Sequence, residues 1–381
     1  QELINIESVM VDQSGAVWIG ANIANEPSLL RYDADFAKYV MWNKNSAVDA
    51  GLLGPIKHIL QANDGLVWVS YYGGGVQARN SVTGQVIYSI TPDNKRGLKF
   101  PDPEQLFIGP DKNLWLAGGE GLLRWSIKDS AFLPVAGSPK ERIYSVHFIA
   151  PNTLWLGRLG TLEAYQWQNN TLTVQQTISG DEGLPAVDII GINSDKSSVL
   201  WLTSSRGLMR FNPKTKRVRV YSINDGLLSQ EFTQRAPYFS QSGQAIVLNS
   251  SGLISFNPSQ MANHNTKLRL VIESISLRRE EDVFQLDPQN AIVLQPNDRD
   301  LTIDALLLNF DDVNAHRFRS KLSGFDPDWV EMGNSGKRVF SSLSAGNYKL
   351  EIIASSAEGI WSKPIILSIK VLPPLFLICL S

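Results

Sequence analysis

The 381-residue sequence contains one cysteine, four histidines and no excess of charge of either sign. Because the cysteine, Cys379, is the third residue from the end, neither a disulfide nor a cysteine-ligated metal site can hold the fold together. The 35 basic and 37 acidic residues leave a formal charge of −2. Nucleic acid and anionic lipid require clustered Lys and Arg, so neither is expected as a partner. The histidines, which lack metal-ligand spacing, are His58, His147, His264 and His316.

No part of the sequence is apolar for long enough to cross a membrane, and both ends look like cuts through a longer protein. The first residues, QELINIESVM, lack the basic start and apolar segment of a secretory signal. Residues 375–381 are apolar apart from a final serine and follow a double proline, whereas a membrane span needs about 20 residues. We therefore expect residues 375–381 to be the start of a truncated transmembrane helix.

What the sequence does contain is a tryptophan that recurs at nearly regular intervals. Each copy lies between small or aliphatic residues after a polar or glycine-containing turn, and successive copies are 50, 47, 40 and 46 residues apart. A sixth copy has Ile246 at the tryptophan position, 45 residues further on. A period of 40 to 50 residues is typical of propellers and solenoids. The five tryptophans, predicted to anchor the packing of each repeat, are Trp18, Trp68, Trp115, Trp155 and Trp201.

Each period has room for four short strands. An apolar segment such as IYSVHFI precedes the tryptophan, a segment such as GLMRF follows it, and a last one such as RVRVYSI completes the unit. β-Branched and aromatic runs bounded by Gly, Asp and Asn predict strands joined by hairpins, and four strands per period describe a propeller blade. The sequence therefore predicts an all-β protein, with a β-propeller of six visible four-stranded blades over residues 1–260.

Glycines and aspartates near the tryptophans allow two interpretations. Gly118, Gly119 and Gly121 could cradle a phosphate, but such a loop must lead into a helix, and here another strand signal follows. Asp residues precede the tryptophans at similar offsets and could bind a cation or act as acid and base, although Asp is also common in hairpin turns. We interpret both groups as turn residues and predict no catalytic residue, metal or cofactor. The aspartates are Asp12, Asp64 and Asp111.

Beyond residue 260 the tryptophan repeat stops and period-2 alternation takes over. Residues 301–305 and 348–352 alternate apolar with polar side chains, and turn signals such as NDRD and SAGN separate them. This pattern predicts a β-sandwich of immunoglobulin or fibronectin type over residues 261–374.

These motifs resemble a known family. The blade unit resembles the two-component regulator propeller repeat, and the strings FRSKLSGFDPDWVEMG, GNYKLEIIASSAEGIWS and VLPP resemble the triple-tyrosine (Y_Y_Y) domain. Of the tyrosines that name the domain, Tyr348 is present, whereas Phe340 and the region around Phe318 carry phenylalanine. The packing of these rings is therefore retained, but the hydroxyl groups are not.

The resemblance implies the extracytoplasmic, ligand-sensing region of a bacterial membrane receptor. In such proteins the sandwich precedes a single transmembrane helix and a cytoplasmic histidine kinase or diguanylate cyclase. It also implies that the visible blades are part of a seven-bladed ring, that the region is periplasmic and not itself an enzyme, and that it forms a homodimer through the sandwich.

A small molecule or oligosaccharide is the expected ligand, and its contacts should come from loops at one face of the propeller. Two other functions stay open: a propeller enzyme acting on oligosaccharides through Asp64 or Asp111, and a protein-interaction scaffold. The candidate ligand-binding residues, which follow the tryptophan strand at equivalent positions, are Tyr71, Tyr72, Arg158 and Arg206.

Overall fold

The structure is a computed structural model, and it describes residues 4–47, 51–94, 96–100, 102–149, 151–232, 236–261, 268–309 and 313–374. The chain forms two compact units. The first comprises Gln1–Arg206 and Glu231–Phe256, and the second comprises Gly207–Gln230 and Asn257–Ser381. None of the helices within the described ranges is long and apolar enough to span a bilayer. The predicted start of a transmembrane helix, residues 375–381, lies outside the described residues.

In the first unit, four antiparallel sheets each consist of four consecutive strands. We call them blades one to four. The strands of blade one are β1 (Ile4–Val11), β2 (Val17–Ile23), β3 (Glu26–Tyr32) and β4 (Tyr39–Asn43). Those of blade two are β5 (Ile56–Gln61), β6 (Val67–Tyr71), β7 (Gly75–Arg79) and β8 (Val86–Ile90). Those of blade three are β9 (Gln105–Ile108), β10 (Leu114–Gly118), β11 (Gly121–Ser126) and β12 (Ala131–Pro134). Those of blade four are β13 (Ser145–Ile149), β14 (Thr153–Arg158), β15 (Thr161–Gln168) and β16 (Thr171–Ile178).

The fifth repeat has four strands that the two compact units divide between them, and the sixth has fewer described strands. The fifth contributes the pair β17 (Ile189–Ser194) and β18 (Leu200–Ser204) to the first unit, whereas its hairpin β19 (Gly207–Asn212) and β20 (Arg217–Tyr221) belongs to the second. The sixth has three strands among the described residues, not the four that the sequence predicts: β21 (Tyr238–Phe239), β22 (Ala245–Asn249) and β23 (Gly252–Phe256). In the sixth repeat the segment before β21 includes residues 233–235, which are not described.

The first strands of successive repeats contact one another in chain order, from β1 through β5, β9 and β13 to β17. This is the neighbour relation of blades arranged radially about an axis. The β-propeller predicted from the sequence is thus confirmed, while the seven-bladed ring stays a prediction. Each recurring tryptophan lies on the second strand of its repeat, and all five are at most 4% exposed.

Three of the tryptophans are tied to an aspartate in the preceding turn. The indole Nε1 of Trp18 donates to Asp12 Oδ2 at 2.9 Å, and the other carboxylate oxygen accepts the Ser14 and Ala16 amides. Trp115 makes the equivalent bond to Asp111 at 2.8 Å. Burial alone would raise the pKa of both carboxyls, but the hydrogen bonds that they accept outweigh it and lower the pKa. These aspartates therefore fix the turn and the tryptophan at once. The third pair is Asp195 and Trp201, at 3.0 Å.

The sandwich of the second unit has two sheets, which confirms the predicted β-sandwich. The first sheet has the order β25-β24-β27-β30, and the second has the order β26-β32-β31-β28-β29. Strands of the first sheet are β24 (Leu270–Arg279), β25 (Asp282–Leu286), β27 (Arg299–Leu307) and β30 (Lys337–Phe340). Strands of the second are β26 (Ile292–Leu294), β28 (Arg317–Ser323), β29 (Val330–Gly333), β31 (Gly346–Ser355) and β32 (Ile365–Val371). Five short 3₁₀ helices complete the described residues: Pro92–Asn94, Gly180–Glu182, Ile223–Asp225, Pro258–Gln260 and Val313–Ala315.

The sandwich core is mainly aliphatic, with side chains from both sheets such as Ile303 and Leu350, each 0% exposed. Phe318 and Phe340 are buried in this core, and Tyr348 packs against it. The Tyr348 hydroxyl donates to the Ser344 carbonyl at 3.0 Å. The predicted domain boundaries, 1–260 for the propeller and 261–374 for the sandwich, stay predictions. The two compact units divide the chain at other residues.

Candidate functional site

The first unit contains a cavity of about 860 Å³ at the first strands of its repeats. Its wall takes residues from β1 and β5 on one side and from β17, β21 and β22 on the other. A smaller cavity of about 110 Å³ shares His58, Glu104 and Ala236 with it. Ligand pockets are concave and combine apolar surface with a few convergent polar groups, and this cavity fits that description. The wall includes Ser8, Lys57, Tyr72, Glu104, Asn193 and Tyr238.

A buried ion pair forms part of this wall. Lys57 Nζ lies 2.5 Å from Glu104 Oε2, and the two side chains are 7% and 5% exposed. Arg142 Nε donates to the other Glu104 oxygen at 2.7 Å, and Lys57 Nζ lies 4.9 Å from the centre of the Tyr72 ring. Burial by itself would lower the pKa of Arg142, but Glu104 outweighs it and raises that pKa. Glu104 thus joins cations from two other repeats at the cavity.

Side chains also link the first strands of neighbouring repeats to one another. The Gln105 amide binds both backbone groups of Val146, accepting from N–H at 2.7 Å and donating to C=O at 3.0 Å. Asn193 donates to the Pro237 carbonyl at 2.8 Å, and Ser145 donates to Ile189 at 2.6 Å. These bonds tie the first strands of neighbouring repeats together, and the bond between Asn193 and Pro237 joins two residues of the cavity wall itself. Between the first strands of blades one and two, the Ile59 N–H donates to Ser8 Oγ at 3.2 Å.

His147, on the first strand of blade four, has a structural partner. His147 Nε2 lies 2.9 Å from Ser194 Oγ, which joins β13 to β17. Burial lowers the pKa of His147 to about 4, so its ring is uncharged at neutral pH.

The four residues predicted to bind ligand lie in different environments. Tyr71 is 0% exposed, its hydroxyl donates to Gln77 Oε1 at 2.5 Å, and burial raises its pKa. Tyr72, the next residue, is 36% exposed and lines the cavity. Arg158 pairs with two glutamates, and Arg206 is exposed with its amide bonded to Ser204 Oγ at 3.1 Å. Of these four described residues, Tyr72 is the one in the cavity wall.

The sequence interpretation missed Lys57 and Glu104. A signal was available, because the segment IKHILQA places two ionisable residues, Lys57 and His58, side by side in a mainly apolar first strand. A charge at such a position requires a partner, although the sequence alone does not say which one.

The glycines Gly118 and Gly121 pair across the hairpin between β10 and β11.

The fold is therefore that of a β-propeller joined to a two-sheet sandwich, and residues 309–372 match the model of the Y_Y_Y domain family. This match confirms the resemblance that the C-terminal motifs indicated. The chain is 25% identical over 401 residues to histidine kinase P4 of Formosa agariphila, an alignment that covers 97% of this chain and 28% of that protein.

Among solved structures, the chain is similar to the extracellular domain of the putative hybrid two-component system BT3049 from B. thetaiotaomicron. The TM-score is 0.59 at 16% identity, over 97% of this chain and 55% of that one. The extracellular domain of BT4673 from the same organism aligns over 98% of this chain at a TM-score of 0.44 and 17% identity. The chain thus shares its fold with the extracellular domain of BT3049, and it spans about a quarter of the length of the curated relative.

Proposed function

We propose that this chain is the extracytoplasmic ligand-sensing region of a bacterial membrane receptor. A small molecule or oligosaccharide binds in the cavity at the first strands, and the sandwich relays binding through a following transmembrane helix. The output is a histidine kinase or a diguanylate cyclase in the cytoplasm. The region lies in the periplasm and pairs with a second copy through its sandwich. The observation that carries the proposal is the cavity, about 860 Å³ in volume, in a propeller followed by a Y_Y_Y domain.

The chemistry of the wall supports binding. Tyr72 and Tyr238 present aromatic surface, while Asn193, Lys57 and Glu104 supply donors and acceptors in the same wall. Aromatic faces with polar edges suit ligands that have both apolar and polar surface. Since hydrogen bonds between neighbouring repeats already hold the wall, a ligand gains affinity from a site that needs little ordering.

The contacts of the turn aspartates favour sensing over the alternative of an oligosaccharide-cleaving enzyme. Asp111 accepts bonds from Asn113, from the Trp115 indole and from Arg124, and its pKa is lowered. A general acid instead needs a pKa raised toward neutrality. A binding role at the cavity requires no such group.

The test is a thermal-shift screen of oligosaccharides and small metabolites against the chain and two variants. A true ligand raises Tm by an amount that increases with the ratio of ligand concentration to Kd and continues to rise above saturation. We expect Tyr72→Ala to weaken binding by about tenfold or more through loss of ring contacts, which corresponds to about 1.4 kcal/mol. Tyr39→Ala removes another exposed tyrosine ring, on the outer strand β4, and should bind normally. A ligand that both variants bind equally well would contradict the site.

A further inference from the structure

The turn between the last two strands of the sandwich is closed by backbone hydrogen bonds and carries an acidic side chain at its tip. Ser356 N–H donates to Ile360 O at 3.0 Å, and Gly359 N–H donates to Ser356 O at 2.9 Å. Ser356 is 5% exposed, and Gly359 has a φ of +68°. The turn follows β31 and precedes β32, and only Leu372 separates the end of β32 from the double proline. A displacement of this turn therefore acts on the two strands nearest the end of the sandwich.

The same turn is in close contact with the hairpin β19–β20, which lies in the same compact unit. A Cβ placed on Gly359 would lie 2.8 Å from Val218 O and 3.4 Å from Val218 N. The Gly359 backbone thus rests against the backbone of the outer strand β20, and a larger residue would not fit without a shift.

Glu358, at the tip, lies between two arginines of this hairpin. Its carboxylate is 3.9 Å from Arg210 Nη1 and 3.7 Å from Arg219 Nε. Arg210 and Arg219 are directly paired across β19 and β20, so they present both guanidinium groups on one face. These arginine side chains are 16% and 11% exposed, and Glu358 is 20% exposed. Asp225 pairs with Arg219 as well and holds it at the hairpin.

We propose that the turn Ser356–Gly359 is a coupling element that fastens the hairpin β19–β20 to the sandwich. By sequence the hairpin belongs to the fifth repeat, and two residues connect it to β18, the strand that carries Trp201. The fifth repeat also supplies Asn193 to the cavity wall. A change at the cavity thus reaches β31 and β32 through covalently continuous strands and one turn. Transmission of a signal from the cavity rests on the proposed sensing function, whereas the contact that fastens the hairpin to the sandwich does not.

The fastening is tested without any ligand, by hydrogen exchange on the 381-residue chain. Gly359→Ala introduces a methyl group against Val218 O, so we expect amides of Arg217–Tyr221 to exchange about fivefold faster or more. Gly333→Ala is the matched control. Gly333 lies in the sandwich at a φ of +69°, and a Cβ there meets nothing within 4 Å. Its backbone strain is the same, but β20 should keep its protection.

Glu358→Gln gives a second variant that leaves the backbone unchanged. It should speed exchange in β19 and β20 by about threefold or more, because two partly buried arginines lose their shared carboxylate. Glu331→Gln, which also faces two arginines of the sandwich, should leave this hairpin unchanged. Unchanged exchange of the hairpin in both Gly359→Ala and Glu358→Gln would overturn the coupling element. Failure to find a ligand would bear on the sensing function alone.

Discussion

The propeller repeats and the sandwich stabilise their sheets in different ways. Each of the first five repeats places one large tryptophan on its second strand, and in three of them the indole donates to an aspartate only four to six residues earlier. The sandwich instead joins aliphatic side chains that are far apart in sequence, such as Ile275 and Leu350. Local anchors can be copied with the repeat, whereas the sandwich core requires all its strands at once. Damage should therefore stay local in the propeller and spread in the sandwich.

The largest expected effect comes from removing one anchor in each region. Trp115→Ala should cost about 3–5 kcal/mol and Leu350→Ala about 2–5 kcal/mol, since both side chains are 0% exposed and leave cavities. By hydrogen exchange, we expect Trp115→Ala to loosen blade three and the strands it contacts. Leu350→Ala should loosen both sandwich sheets together.

The control is Trp329→Ala, because Trp329 is 37% exposed and its loss should cost less than about 1 kcal/mol. Uniform loosening of every blade in Trp115→Ala, with no gradient away from blade three, would contradict the local character of the anchors.

A smaller effect should distinguish two kinds of turn aspartate. Asp12 accepts a hydrogen bond from a tryptophan indole, whereas Asp64 accepts one from a backbone amide of its own turn. Asp12→Ala leaves the buried Trp18 indole and two turn amides without their acceptor, so it should cost about 2–3 kcal/mol. Asp64 is exposed and accepts the Leu66 amide, and Asp64→Ala should cost about 0.5 kcal/mol. Urea denaturation followed by circular dichroism measures both, and equal costs would refute the distinction.

The contribution of Asp12 to stability should also depend on pH. The pKa of Asp12 is lowered in the folded protein, so its contribution is fully present above the ordinary value of 3.8 and is lost as the pH falls through the lowered pKa. Asp12→Ala should therefore differ from the parent chain by less at pH 3 than at pH 7.

Much of the fold could be predicted, because short sequence patterns indicate the strands and, in the propeller, recur in every repeat. The spacing of Trp18, Trp68 and Trp115 was enough to predict the propeller, and alternation over residues 301–305 was enough for strands of a sandwich. The site was harder, because Lys57 and Glu104 lie 47 residues apart and meet only through the radial arrangement of blades. Glu358 gave no signal, since a charged residue in a turn is ordinary until its neighbours are known.

The smallest expected effect concerns the one tyrosine retained from the triple-tyrosine pattern. Tyr348→Phe removes a hydroxyl that donates to Ser344 O in an exposed position, so it should cost less than about 1 kcal/mol. Tyr348→Ala also removes the ring that packs against the sandwich core and should cost about 2 kcal/mol or more. Urea denaturation of the two variants separates the ring from its hydroxyl. Phe318 and Phe340 already pack in the same core without a hydroxyl, so a cost for Tyr348→Phe as large as that for Tyr348→Ala would show that this position differs from them.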